Sequence, residues 1–146
     1  MSQINAYITF NGNCREAMIF YHNCFGGELL LHTVRESPLA EQMPLKMQNH
    51  IFHASITNGT LILMGADKMD KSRQVKGNTV ALMLNCRSEE EIRIYYDRLS
   101  ADGEITNPLH DTSWGALLGG LIDKFGTRWL LNFARRQSMK IVINQN

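Results

Sequence analysis

The chain has 146 residues, 44% of them apolar and 20% charged, with a formal net charge of +1. That is the length of one ordinary domain, or of two half-size motifs sharing a core. A near-neutral chain gathers neither nucleic acid nor an anionic membrane by its field, and no apolar run approaches the roughly 20 residues of a membrane span.

The opening Met1-Ser2-Gln3-Ile4-Asn5 lacks a basic region followed by an apolar stretch, so no secretory signal is expected there. Three cysteines, an odd number without a close pair, point to reduced thiols and a cytoplasmic setting. Cys24 and Cys86 read as small core residues rather than ligands.

Residues 6–10 are β-rich and predict a first strand. Asn13 then caps a helix, with Glu16 three residues on as a capping box requires. Ala17, Phe20, Tyr21, Cys24 and Phe25 follow at the spacing of one apolar helical face, and Gly26-Gly27 end it. Residues 28–34 predict a second strand. Residues 36–50 carry Pro38 and Pro44 and read as a long loop, of the kind that forms lids or binding loops. Residues 51–57 and 60–65 flank Asn58-Gly59, a strong hairpin signal. The first unit is therefore β-α-β-β-β.

Residues 67–77 are polar, with Lys68, Lys71, Arg73 and Lys76 against Asp67 and Asp70, and read as a solvated linker rather than a phosphate site. The order then repeats. Residues 79–85 predict a strand. Ser88 caps a helix with Glu91 as its box partner, and Ile92, Tyr95, Tyr96 and Leu99 form its apolar face. A strand starts over residues 104–106, and residues 113–122 and 128–133 flank the turn Asp123-Lys124-Phe125-Gly126-Thr127. Cap, box partner and four apolar helix positions are all displaced by 75 residues from those of the first helix. The tail is polar apart from Ile141-Val142-Ile143, an extended β-branched piece suited to docking on a sheet edge.

Alternation assigns faces. Ile8 and Phe10 belong against the first helix, and Tyr7 and Thr9 face away. Val80, Leu82 and Leu84 share one face of their strand, and Thr79, Ala81 and Met83 the other. The faces turned from the helices carry small and polar residues, so a ligand or a dimer partner is expected to cover them. Of the five histidines, His50 and His53 are three apart and point to opposite faces if both are extended. His22 lies on the polar side of its helix. His32 alternates with Leu31 and is placed to line a face. His110 sits in a loop before Trp114. His53 and His110 are the candidates for a site. Trp114 has two readings, a core residue or a stacking wall thinned by Gly115, Gly119 and Gly120. Trp129 reads as core with Leu131 and Phe133, and Met64 lies near the expected cleft.

An ordered set of segments carries a family resemblance. They are residues 6–13, Ala17-Met18-Ile19-Phe20-Tyr21, Phe25-Gly26-Gly27-Glu28-Leu29, His53-Ala54, Asn58-Gly59, Leu63-Met64-Gly65-Ala66-Asp67, Trp114 and residues 123–132. Together with the internal repeat, they resemble the PhnB-like branch of the vicinal oxygen chelate superfamily, which includes glyoxalase I, extradiol dioxygenases and bleomycin-resistance proteins. The resemblance implies an α+β fold in which two β-α-β-β-β units form a curved mixed sheet around a cleft, helices on the outer face. The whole chain, 1–146, is then one domain, with unit one at 4–66, a linker at 67–77, unit two at 78–133 and a tail at 134–146.

The superfamily's metal enzymes place a His or Glu on the first and last strand of each unit. The positions expected here are Asn5, Tyr7 or Thr9, then Leu61, Leu63 or Gly65, then Thr79 or Ala81, then Arg128, Leu130 or Asn132. None is a His, Glu or Asp, so no metal and no other cofactor is expected. The implied ligand-binding set is Tyr7, Thr9, His53, Leu63, Thr79, Trp114, Leu130 and Asn132. The expectation is a homodimeric small-molecule-binding protein that uses no nucleic acid or membrane partner, the tail or the 36–50 loop reaching the other subunit. The alternative is a lyase, isomerase or dioxygenase-like enzyme with a non-standard site, using His53 or His110 as base. A demethylubiquinone methyltransferase-like protein is less favoured, because no Gly-rich nucleotide loop opens a parallel α/β domain.

Overall fold

The computed structural model describes residues 1–135, and Ile141-Val142-Ile143 lies outside them. The chain forms two compact units, Met1–Val75 and a second that begins at Lys76. The first holds β1 (Ala6–Phe10), α1 (Cys14–Phe25), β2 (Glu28–Thr33), β3 (Ile51–Asn58) and β4 (Leu61–Asp67). The second holds β5 (Leu82–Asn85), α2 (Glu89–Ser100), β6 (Glu104–Asp111), β7 (Ala116–Ile122) and β8 (Arg128–Ala134). Each unit is a four-stranded mixed sheet, ordered β1-β4-β3-β2 and β5-β8-β7-β6. Its first strand lies parallel to its last, and its other pairings are antiparallel. The fold is α+β with the expected β-α-β-β-β order twice, and neither sheet is the doubly wound parallel kind.

Both helices have 12 residues, and both ends keep the 75-residue displacement read from the caps. In the first unit, Ala17, Met18, Tyr21, Cys24 and Phe25 pack on Phe10, Ile51, Ala54, Ile56 and Leu63, all buried. Gly65 makes that approach possible, since a Cβ there would meet the Ile8 carbonyl at 3.0 Å, the Phe10 ring at 3.0 Å and the Met18 sulfur at 3.4 Å. In the second unit Ile92, Tyr96 and Leu99 cover Leu117, Leu121, Trp129 and Leu131. Phe20 and Tyr95, expected on the apolar faces, are only half-buried, and Met18 takes the inner place in α1.

Ser88 caps α2, its hydroxyl accepting from the Glu91 amide at 3.0 Å, but Glu91 reaches back to the Arg87 amide instead of closing the box on Ser88. Asn13 makes no side-chain cap on α1. Asp67, at the end of β4, does the work: one carboxylate oxygen accepts the Gly12 and Cys14 amides, both at 2.9 Å, and the other accepts Ile51 at 2.8 Å. A buried carboxylate satisfies the orphan amides at the helix start and suits the positive end of its dipole. Asp67 is thus a core residue, not the first residue of a linker.

Several expected boundaries move. The 36–50 loop is wound into short 3₁₀ turns at Val34–Glu36, Ala40–Gln42 and Leu45–Met47. Gln48 ties it together, its amide donating to the Ala40 and Met43 carbonyls. β5 starts at Leu82, leaving Thr79, Val80 and Ala81 ahead of it, with Val80 exposed. β6 runs on to Asp111 and so contains His110, which is no loop residue. β6 tolerates Pro108 because it is an edge strand whose register slips on either side of Asn107. β7 begins at Ala116, so Trp114 lies in the β6–β7 turn.

Candidate ligand groove

The faces turned away from the helices carry the chemistry. In the first unit, Tyr7 pairs with Met64, Met64 with Ser55 and His53 with His32. Leu63 falls on the other side, opposite Ala6 and Ile56, and is 3% exposed. The structure therefore places Leu63 in the core under α1. Its neighbours Ile62, Met64 and Ala66 take the open face, because a one-residue step along a strand reverses the face.

A groove of about 650 Å³ lies on this open face, within the size range of small-molecule sites. Tyr7, Thr9 and His53, three of the candidate ligand-binding residues, line it. Tyr7 is 53% exposed, and its ring centre lies 6.3 Å from that of His53 with the planes inclined by 30°. Phe52 joins them. A β-bulge makes this possible: the β2–β3 register slips between His32 and Thr33, so Thr33 faces Ile51 and Phe52 has no partner in the ladder. Bulges re-aim side chains in this way beside sites. His50 lies before β3, its ring 3.8 Å from where a Gly12 Cβ would stand, and is not part of the groove.

The far wall comes from the segment read as a linker. Lys68, Met69, Asp70, Ser72 and Gln74 line the groove, and Gln74 donates to the Thr9 carbonyl at 2.6 Å. The Lys68 side chain is 10% exposed, and its ammonium donates to Asp70 at 2.6 Å and to the Ser72 hydroxyl at 2.7 Å. The bond from Lys68, then those from the Ser72 hydroxyl and amide, hold the Asp70 carboxyl down to about 2. Sequence pattern missed this wall because polar, alternating-sign residues look solvated. The available signal was Asp67, an acidic residue closing an apolar strand, which burial obliges to find donors.

In the second unit, His110 pairs with Leu118, Leu118 with Asn132 and Asn132 with Asn85, one row across the open face. Leu130 lies on the same face, next to Gly120 and Met83, and the Asn132 amide donates to Asn85 at 3.2 Å. The Pro108 carbonyl, 2.9 Å from His110 Nδ1, accepts its proton and so leaves Nε2 as the basic nitrogen. Thr79 precedes the sheet, and Trp114, 58% exposed at the turn, is not a core residue. Neither joins the row.

The superfamily's metal does not fit these strands. The open-face positions of β1, β4, β5 and β8 are Tyr7 and Thr9, then Ile62, Met64 and Ala66, then Met83 and Asn85, then Arg128, Leu130, Asn132 and Ala134. They supply no imidazole or carboxylate. Among the described residues, no group of three or more His, Cys, Asp and Glu converges on a point. The thiols of Cys14 and Cys86 are buried and held protonated. Burial, then the Asp67 charge, pushes Cys14 up to about 12, and burial, then Glu91, does the same to Cys86.

Residues 3–131 match the model of the Glyoxalase/Bleomycin resistance protein/Dioxygenase superfamily. Protein YjdN of Escherichia coli (strain K12) is 31% identical over 143 residues, covering 92% of this chain and 97% of YjdN. The crystal structure of protein PA1353 from Pseudomonas aeruginosa aligns with a TM-score of 0.81 at 32% identity, over 91% of this chain and 98% of that one. The PhnB protein from Bacillus cereus aligns with a TM-score of 0.70 at 27% identity, over 91% and 100%.

Proposed function

Since the chain belongs to the Glyoxalase/Bleomycin resistance protein/Dioxygenase superfamily, we propose that it binds a small molecule in the Tyr7–His53 groove, without the metal of the superfamily's enzymes. The observation that carries this reading is the pair of rings, Tyr7 and His53, 6.3 Å apart at the wall of a groove of about 650 Å³. The exposed Tyr7 ring and the half-buried His53 ring, beside Phe52 and Met69, offer stacking and apolar contact to a planar ligand. Charge narrows the class. The charged residues of the groove are Asp67, Lys68 and Asp70; the Asp67 carboxylate is taken up by the Gly12, Cys14 and Ile51 amides, and the one cation, Lys68, is already bonded to Asp70. A phosphate or phosphonate would meet no spare positive charge. The reading is a neutral planar molecule with a polar edge, hydrogen-bonding to Thr9, Ser72 or Gln74.

The protein acts as a homodimer in this reading, in a reducing, cytoplasmic setting that suits Cys14, Cys24 and Cys86, none of which forms a disulfide. Each sheet has two edge strands, and an uncovered edge is a pairing hazard. Light scattering should give twice the 16.6 kDa chain mass.

Native mass spectrometry of the gently purified chain tests the ligand directly. A retained neutral aromatic lost in Tyr7→Ala supports the groove. A ligand retained equally by Tyr7→Ala and His53→Ala, or thermal stabilisation by inorganic phosphate alone, overturns it. A metal-independent enzyme is the second reading, favoured by the fixed Nδ1–H tautomer of His110. It requires turnover that His110→Gln abolishes.

A further inference from the structure

His32 and His53 stand directly opposite each other on β2 and β3. Paired residues share a face, with Cβ atoms about 4.5–5.5 Å apart. β2 is the edge strand, so His32 is exposed, while His53 is half-buried against Tyr7. The ladder holds both backbones, and the bulge that follows leaves their pairing intact. We infer that His32 and His53 form a two-imidazole clamp for a divalent transition-metal ion at the rim of the groove. The site is distinct from the superfamily's metal position, which lies on the first and last strands of each unit.

The chemistry selects the ion. Two neutral imidazoles at about 2.0–2.1 Å suit Cu²⁺, Ni²⁺ or Zn²⁺, and not the oxygen-seeking Mg²⁺ or Ca²⁺. By the usual order of divalent affinities, Cu²⁺ binds most tightly. Glu36 is near enough to His32 for its carboxyl to be lowered by it, after the larger effect of the bonds from the Thr33 amide and hydroxyl. Those bonds occupy Glu36 as a capping group. No third ligand converges with the pair among the described residues, so water or a groove ligand fills the other positions. The ion is exchangeable and not structural. His53 is shared with the groove, whereas His32 is not one of its walls, so His32 is the residue that distinguishes the clamp from the organic ligand site.

The test is a titration of the metal-free full chain with Cu²⁺ alone at neutral pH, followed by calorimetry and by paramagnetic resonance. One Cu²⁺ per chain with two equatorial imidazole nitrogens is expected. His32→Gln and His53→Gln should each weaken it about a hundredfold, the loss when a two-point attachment becomes one-point. His22→Gln, on the far side of the unit's helix, should leave it unchanged. Absence of saturable Cu²⁺ binding, or binding that persists in both single variants, overturns the clamp. Should circular dichroism show His53→Gln misfolded, the exposed His32→Gln decides alone. Loss of the clamp in His32→Gln with the groove ligand still retained separates this inference from the proposed function, since His32 does not line the groove.

Discussion

Cys14 and Asp67 lie 53 positions apart, and the amide of the first donates to the carboxylate of the second at 2.9 Å in a buried setting. The same carboxylate holds Gly12 and Ile51, so it joins the start of α1, the start of β3 and the end of β4. Three amides lose their acceptor if it is removed. Asp67→Ala should cost about 3 kcal/mol, since each buried donor left unpaired costs about 1–3 kcal/mol before relaxation and water entry. Urea denaturation measures this. A loss below about 0.5 kcal/mol, the scale of ordinary surface changes, would show that water replaces the carboxylate without penalty.

Gly27 and Gly59 both sit at positive φ, +83° and +61°, but only one is hemmed in. A Cβ on Gly27 would stand 2.4 Å from the Thr57 carbonyl oxygen, whereas nothing lies within 4 Å of one on Gly59. Gly59→Ala should cost about 1–2 kcal/mol, the left-handed penalty alone. Gly27→Ala should cost clearly more, because α1 and β3 must separate. Equal melting temperatures for the two variants would contradict this.

The buried thiols predict a direction with pH. Cys14 and Cys86 are raised from 9.0 to about 12, so the fold favours their protonated forms. That contribution is complete below 9.0 and is lost as pH rises toward about 12. The native protein should resist a disulfide reagent at neutral pH and become reactive as alkali or urea opens it. Rapid labelling of native Cys14 would contradict the buried environment.

Asp70 gives the opposite sign. Its carboxyl is lowered from 3.8 to about 2, chiefly by Lys68 and Ser72. The stabilisation is present above 3.8 and fades as pH falls toward about 2. Carboxyl resonances should place the Asp70 midpoint well below those of free aspartates, and Lys68→Met should raise it. An unchanged midpoint in Lys68→Met would mean that the groove wall is not held by this pair.

Part of the candidate site was legible. Tyr7 and Thr9 follow from strand alternation, and the structure places them in the groove with the candidate histidine His53. Leu63 was assigned to the open face and lies on the buried one, since a single-residue error in a strand exchanges its faces. Lys68, Asp70 and Gln74 carry no local pattern that separates a groove wall from a solvated connection.

The sequence alone determined both helices and their 75-residue displacement, the two hairpins and the β-α-β-β-β order, because caps, 3.6-residue periodicity and turn glycines act over a few neighbours. Tertiary structure alone decided which residue caps α1, which strand register puts Met64 rather than Leu63 beside Tyr7, and that Phe52 joins His53 in the groove. Each of these depends on chain segments tens of residues apart meeting in one register. The observed register brings Asp67 to its three amide donors and Met18 over Gly65. No short window of sequence contains both partners of such a contact.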